Sequence, residues 1–241
     1  MNATRRPPIR ALLFDLDDTL WPIVPVILRA ERVLFDWLRE HAPKVPERFT
    51  IEALRARRTE LIAAQPHLAI DLYALRHAGL SEAFALCGED HAKIDTAMTL
   101  FAEARNQVTL YDDVHDCLPR LASQMTLGSL TNGGADLHAI GLAHHFSVSL
   151  AAHQLGRAKP DPLIFHAACD ALGIPPAQVA YVGDDLKLDV EGAQNAGLRG
   201  LWMNRSGDAP PADCVHIRPD ASLTSLHELE SWLVTSEGEK P

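Results

Sequence analysis

Five short apolar runs punctuate the chain: Ile9 to Phe14, MTLGSLT at 125 to 131, FSVSLAA at 146 to 152, VAYVG at 179 to 183 and LRGLWMN at 198 to 204. The ALLF of the first is apolar on both faces, which predicts a strand of a parallel sheet covered by helices. Between the runs the period lengthens to 3.6. Val114, Cys117, Leu118 and Leu121 share a face within 112 to 123, and 162 to 172 and 186 to 196 repeat the pattern. Strand alternating with helix predicts an α/β, Rossmann-like doubly wound parallel sheet with right-handed crossovers.

Residues 22 to 110 break the alternation and carry helical periods alone. Val26, Ala30, Val33, Leu34, Trp37 and Leu38 line one face, and IEALRARRTELI, IDLYALRHAGLSEAFALC and KIDTAMTLFAEARNQV follow. Pro43, Pro46, Pro66 and the turn at Gly88 separate them. The expectation is a four-helix insert at 22 to 110, directly after the first strand, in a core made of 1 to 21 and 111 to 241. The final TSEGEKP is expected to fray.

Composition narrows the partners more than the fold. With 241 residues, 47% hydrophobic and 22% charged, the chain can bury a substantial core. A formal net charge of -10 argues against nucleic acid and anionic membrane surfaces, and points to small-molecule partners. Cys87, Cys117, Cys169 and Cys214 form no CxxC pair, so neither a disulfide framework nor a zinc knuckle is signalled. The basic MNATRRPPIR runs into Asp15 too soon for a signal-peptide core, and no stretch reaches the roughly 18 apolar residues of a membrane span. A soluble cytoplasmic protein is expected.

The chemistry-bearing residues fall where strands end. Asp15 and Asp17 follow the first strand, Thr131 and Asn132 the second, Lys159 comes shortly after the third, and Asp184, Asp185 and Asp189 follow the fourth. In a doubly wound sheet these carboxyl ends converge on the ligand. Two unit charges 4 Å apart repel by roughly 4 kcal/mol at an effective dielectric near 20, so converging carboxylates call for a cation. Mg²⁺ suits them, because it takes a few carboxylate or carbonyl oxygens and leaves positions for phosphate. Lys159, Thr131 and the amides of the NGG turn could hold the remaining phosphate oxygens. Asp15 could then attack phosphorus, with Asp17 as general acid and later base.

FDLDDTL, LTNG, AKPDP and GDDLKLD, in this order, resemble the four signature motifs of the haloacid dehalogenase superfamily of phosphohydrolases, covering residue 10 to about 205. The resemblance implies Asp15 as nucleophile and Asp17 as general acid/base. It implies Thr131 and Lys159 on phosphate, Asp184 on Mg²⁺ beside Asp15 and the Asp17 carbonyl, and Asp189 behind the metal. The insert is similar to the helical cap found after the first motif in many members. FDLDDTLWPIVPVILRAER, GRAKPDP, VGDDLKLDVEGAQNAG, WMNRSGD and ASLTSLHELESWL resemble bacterial flavin-pathway phosphatases, which implies FMN or the phosphorylated ribitylaminouracil of riboflavin synthesis as substrate. Residues 44 to 100 carry little of that subgroup's pattern, and Trp21 stands where Tyr is frequent.

Other residues admit two readings. Asp185 either caps the following helix or supports the metal, the latter being preferred. Thr19 is expected to hydrogen-bond within its own turn. Trp21 either stacks on a substrate ring or packs between insert and core. Arg29, Arg32, Arg76 and Arg105 are expected to be solvated. Arg157 could assist the phosphate loop, and the adjacent His144 and His145 are expected at the surface. Competing activities are haloacid dehalogenation, phosphosugar mutation, hydrolysis of another small phosphate ester, and a non-catalytic phosphate-binding module. A dehalogenase needs neither a metal nor a second acid two residues after the nucleophile.

Overall fold

The computed structural model describes residues 7–238. They fall into two compact units: residues 7–22, 109–133 and 141–238 form the first, residues 23–108 and 134–140 the second.

The second unit is helical. Its long helices are α1 (Ile23–His41), α3 (Ile51–Ala64), α4 (Leu72–Cys87) and α5 (Ile94–Arg105), with the five-residue α2 (Lys44–Arg48) inserted after the first. Local chemistry sets the boundaries. Thr50 caps α3 by accepting from the Ala53 amide, and Asp71 caps α4 by accepting from the Ala74 amide. Gly88 ends α4 in the left-handed region at φ 63°, where a side chain would be strained. Leu34, Leu38, Phe84, Ala97 and Met98 pack together as this unit's core.

The first unit holds the sheet. Strands β1 (Ala11–Phe14), β2 (Thr126–Thr131), β3 (Val148–Ala151), β4 (Val179–Gly183), β5 (Arg199–Met203) and β6 (Ala221–Leu223) lie in the order β3-β2-β1-β4-β5-β6. All neighbours are parallel. Five of the six strands sit inside the apolar runs. The edge strand β6 does not announce itself, because three residues with one buried side chain make no run. Among the described residues the remaining α-helices are α6 (Val114–Gln124), the one-turn α7 (Leu137–Ile140) and α8 (Ala152–Leu155), α9 (Pro162–Leu172), α10 (Gly192–Asn195) and α11 (Leu226–Gly238). Of the TSEGEKP expected to fray, Thr235–Gly238 complete α11, and residues 239–241 lie outside the described residues.

Two features of the sheet place the site. β1 is wholly buried and lies between β2 and β4, so the residues after these three strands emerge side by side, about 4.8 Å apart. The order runs outward from β1 in both directions, which makes the β1–β4 boundary the switch point where ligands bind in such sheets. The register agrees: Phe14 pairs with Val182, and the Asp15 amide donates to Val182 O at 2.9 Å. Among the described residues, no helix is long and apolar enough to cross a membrane.

Candidate active site

Lys159 is the centre of the cluster. It is 5% exposed, and its Nζ donates to Asp15 Oδ1 at 2.7 Å, Asp189 Oδ1 at 2.6 Å and the Tyr181 hydroxyl at 2.8 Å. All three donor positions of the ammonium are used. Burial alone would drive this amine neutral, but the two carboxylates hold its pKa above the ordinary lysine value. Tyr181 donates in turn to Leu130 O at 2.6 Å, and burial raises its own pKa.

Asp15, Asp184 and Asp189 bring carboxylate oxygens within 4.8 Å of one another. Burial raises the Asp15 pKa to about 7, with Asp189 and Asp17 adding to the rise and Lys159 opposing it. Asp184 rises to about 8, again first through burial and then through Asp15 and Asp189. Once ionised, the three carboxylates outnumber the one ammonium, and Lys159 directly pairs Asp15 and Asp189. Oxygen donors with that residual charge fit a hard divalent cation such as Mg²⁺.

Local backbone delivers each acid. After β1 the chain turns at residues 18–20, between the bridged Asp17 and Trp21, with Asp18 at φ 55°, a region Asp tolerates better than most residues. The Asp18 amide donates to Trp21 O at 2.7 Å and the Leu20 amide to Leu16 O at 2.8 Å. Asp17 lies outside the group of three carboxylates; its Oδ1 accepts from Trp21 Nε1 at 2.8 Å. After β4, a π-helical turn (Leu186–Glu191) replaces the expected start of an α-helix. It carries Asp189 back under the strand end, where Oδ2 accepts from the Asp185 amide at 2.9 Å. Asp189, expected behind the metal, is therefore one of the three. Asp185 is exposed, and its Oδ1 accepts from the Lys187 and Leu188 amides, both at 2.8 Å. That geometry is the capping alternative, and Asp185 is not part of the trio.

Thr131 and Asn132 close the other side. Thr131 is buried, and its Oγ1 accepts from the Gly133 amide at 2.9 Å. The Asn132 side chain is engaged twice with the Lys159 backbone, accepting from its amide at 2.8 Å and donating to its carbonyl at 3.1 Å. Asn132 thus fixes the peptide that carries Lys159.

Among the remaining residues some readings hold and others do not. Trp21 is fully buried and hydrogen-bonded to Asp17, so it presents no face for a ring to stack on. Thr19 Oγ1 is buried with no hydrogen-bond partner, while the Thr19 carbonyl accepts from Arg205 Nη2 at 2.7 Å. Arg157 pairs with Asp161 at 2.7 Å. Arg105 is buried and Arg76 half-buried instead of solvated. His144 is exposed and His145 half-buried.

Two contributors escaped the reading of the sequence. Tyr181 sits inside the apolar VAYVG, where its one polar atom is the clue; Trp202 holds the Asp184 carbonyl by donating from Nε1 at 2.8 Å. Beside Asp184 opens a cleft of about 740 Å³, bordered by Asp18, Tyr111, Trp202 and Arg205. That size is within the roughly 300–1,000 Å³ of small-molecule sites.

Carboxylates and a buried lysine thus converge at the switch point of a parallel α/β sheet, where ligands bind in such folds. Residues 9–197 match the family model for haloacid dehalogenase-like hydrolases, and the chain belongs to that family. It is similar to the 5-amino-6-(5-phospho-D-ribitylamino)uracil phosphatase YigB of Escherichia coli K12, with 32% identity covering 93% of this chain and 96% of the relative. It is also similar to a phosphoserine phosphatase of Thermus thermophilus, with 31% identity over 92% and 98% of the two chains. Among solved structures, a 2-haloacid dehalogenase from Pseudomonas syringae pv. Tomato DC3000 superposes with a TM-score of 0.87 at 37% identity, covering 94% of this chain and 99% of that one.

Proposed function

We propose that this chain, a hydrolase of the haloacid dehalogenase-like family and a phosphatase within it, cleaves small phosphate monoesters through an aspartyl-phosphate formed on Asp15. The observation that carries the reading is the trio Asp15, Asp184 and Asp189 around Lys159, a pairing of surplus negative charge with one fixed cation. Asp15, Asp184 and the backbone carbonyl of Asp17 would hold Mg²⁺, which when bound neutralises the acids and draws charge from the transferring phosphoryl group.

The chain's own groups then divide the work. Lys159 and the Thr131 hydroxyl bind the phosphoryl oxygens; Lys159 thereby exchanges part of its pairing with Asp15 for the substrate. Asp15 attacks phosphorus in line, and Asp17 gives its proton to the departing alkoxide. Asp17, now a carboxylate, takes a proton from the water that hydrolyses the acyl phosphate. Its bond to Trp21 holds it in place through both steps. The helical unit, as a cap, would choose the leaving group.

For the substrate we favour FMN or 5-amino-6-(5-phospho-D-ribitylamino)uracil, supported by the similarity to YigB over nearly the whole chain. The similarity to the 2-haloacid dehalogenase of Pseudomonas syringae favours a second reading, displacement of halide by Asp15. Asp17 and Asp184 count against it, because halide displacement needs no acid to protonate a leaving group and no metal.

The test is phosphate release from a panel containing both flavin-pathway esters, phosphoserine, sugar phosphates and nucleotides, with and without Mg²⁺, beside halide release from 2-haloacids. Mg²⁺-dependent turnover of a flavin-pathway ester is expected, and strong activity confined to sugar phosphates would remove that substrate assignment. Asp17→Asn should lower phosphate release by about 10²-fold or more while the thermal transition stays in place. An unchanged rate in that variant refutes the role given to Asp17.

A further inference from the structure

A second cluster with metal-ligand chemistry lies away from the acids of the sheet. Cys117 of α6 and His227 and Glu230 of α11 bring one ligand atom each within 4.8 Å of one another. The thiol and the imidazole are 110 residues apart in the chain, so packing alone joins them. His227 and Glu230 are three apart on one helix and share a face. Their position is fixed from both sides: the Leu226 amide donates to Asp113, just before α6, at 2.6 Å, and Leu226 and Leu229 are fully buried. The three edges of the triangle are Sγ to Nδ1 3.1 Å, Sγ to Oε2 3.4 Å and Nδ1 to Oε2 3.7 Å. Zinc bonds of about 2.0–2.3 Å in a tetrahedron place neighbouring ligand atoms about 3.4–3.6 Å apart, inside the span of those edges.

The donor set differs in kind from the Asp15, Asp184 and Asp189 trio. Sulfur, nitrogen and one oxygen suit Zn²⁺, whereas Mg²⁺ asks for oxygens. A cation already bridges two of the three ligand atoms: Arg120 Nη2 donates to Glu230 Oε2 at 2.8 Å and to Cys117 Sγ at 3.2 Å. Arg120 Nε holds the other carboxylate oxygen, Oε1, at 2.8 Å. An ion at Sγ, Nδ1 and Oε2 therefore requires Nη2 alone to withdraw, and the Arg120 side chain is 48% exposed, with water to receive it. The bond to Oε1 then serves as the outer partner that orients a ligating carboxylate. His227, with 60% of its side chain exposed, gives the ion an entry path and puts water within reach as the fourth ligand. A nucleophilic cysteine is the competing reading of a thiol beside an imidazole. It fails here, because Cys117 is fully buried and burial, with Glu230 beside it, pushes the thiol up to about 12.

We propose that Cys117, His227 and Glu230 form a binding site for a zinc-class divalent cation, which staples α11 to α6. On binding, the thiol gives its proton to solvent and its sulfur an electron pair to the ion, while the imidazole binds through unprotonated Nδ1 and the carboxylate through Oε2. The site shares no residue with the catalytic centre, and it stands or falls apart from the hydrolytic reading.

Co²⁺ is the probe, titrated into the reduced, metal-free chain, because it takes zinc sites and reports a sulfur ligand by a thiolate-to-cobalt charge-transfer band. In the wild type that band should saturate at one Co²⁺ per chain. It should persist in Asp184→Asn and in excess Mg²⁺, disappear when Zn²⁺ displaces the cobalt, and be absent from Cys117→Ser. No band in the wild type, an unchanged band in Cys117→Ser, or its loss in Mg²⁺ overturns the proposal. If Cys117→Ser does not fold, His227→Ala, at an exposed position, replaces it: Co²⁺ affinity should fall by about tenfold or more, and equal affinity overturns the site. The staple has its own readout in amide hydrogen exchange. Zn²⁺ should slow exchange along α11 by about tenfold or more in the wild type and leave Cys117→Ser unchanged; equal exchange with and without Zn²⁺ in the wild type refutes the staple.

Discussion

Gly183 ends β4 with no side chain, and the space it leaves is occupied: a Cβ there would lie 2.7 Å from the Asp189 Cβ and closer still to its carboxylate. Because Asp189 is buried and bonded to both Lys159 and the Asp185 amide, it has nowhere to yield. Gly183→Ala should therefore displace Asp189, loosen Lys159 and lower phosphate release by about tenfold or more, with a loss of stability of about 1–3 kcal/mol. Parallel rate and denaturation measurements decide it; a variant with native rate and native midpoint would show that the strand end relaxes without involving the acids. At this scale residue identity was a good guide to which atoms could do chemistry and a poor one to what they bond. The carboxylate types named Asp15, Asp184 and Asp189, but the Asn132 side chain locks the Lys159 peptide, and Asp185 caps a turn. Those partners lie across loops that no local spacing encodes.

Between elements, Asp113 stands where three segments meet. Just before α6, its Oδ2 accepts from Arg205 Nη1 at 2.6 Å and from the Leu226 amide, at the start of α11, also at 2.6 Å. Arg205 continues the link by donating to the Thr19 carbonyl and lying 4.4 Å from the centre of the Tyr111 ring. Asp113→Ala would strand the Arg205 charge, which is largely buried, and leave the first amide of α11 without its acceptor. A loss of about 3 kcal/mol is expected, read as a fall in urea midpoint at constant slope; a change below about 0.5 kcal/mol would mean that water takes over both bonds. The helices themselves were legible from their 3.6 periods and caps. The π-helical turn was not, since Leu186 to Ala196 has the apolar period of an ordinary helix; the turn carries Asp189, which bonds to Lys159. β6 escaped for the opposite reason, being too short to show any period.

At the scale of the whole molecule, the acids make stability depend on pH and on divalent cation together. In the metal-free protein the pKa values of Asp15 and Asp184 are raised from the ordinary carboxylate range to about 7 and about 8. An acid raised on folding binds its proton more tightly in the folded chain, so its stabilising effect is complete below the ordinary range and lost as pH rises toward 7 to 8. In chelator, the wild-type chain should lose stability between pH 5 and 8 relative to Asp184→Asn, which cannot acquire that charge. Mg²⁺ should reverse the loss, raising Tm more at pH 8 than at pH 5 because its ligands must be deprotonated. Thermal melts over that range with and without Mg²⁺ check both statements, and a larger Mg²⁺ effect at pH 5 would contradict the assignment. The second compact unit also emerges only at this scale, because residues 134–140 group with 23–108 across a long stretch of sequence.

What the chain determined by itself was the alternation of buried strands and amphipathic helices, the helical interruption after β1, and the chemical identity of the groups at the strand ends, because those depend on periods and residue types within a few positions. Tertiary structure decided that β1 lies between β2 and β4, that Asp189 joins Asp15 and Asp184 around one lysine, and that Arg55 and Arg58 of α3 share the buried Glu31 of α1. Each of these joins residues far apart in sequence, and such proximity comes from packing, which no local pattern carries.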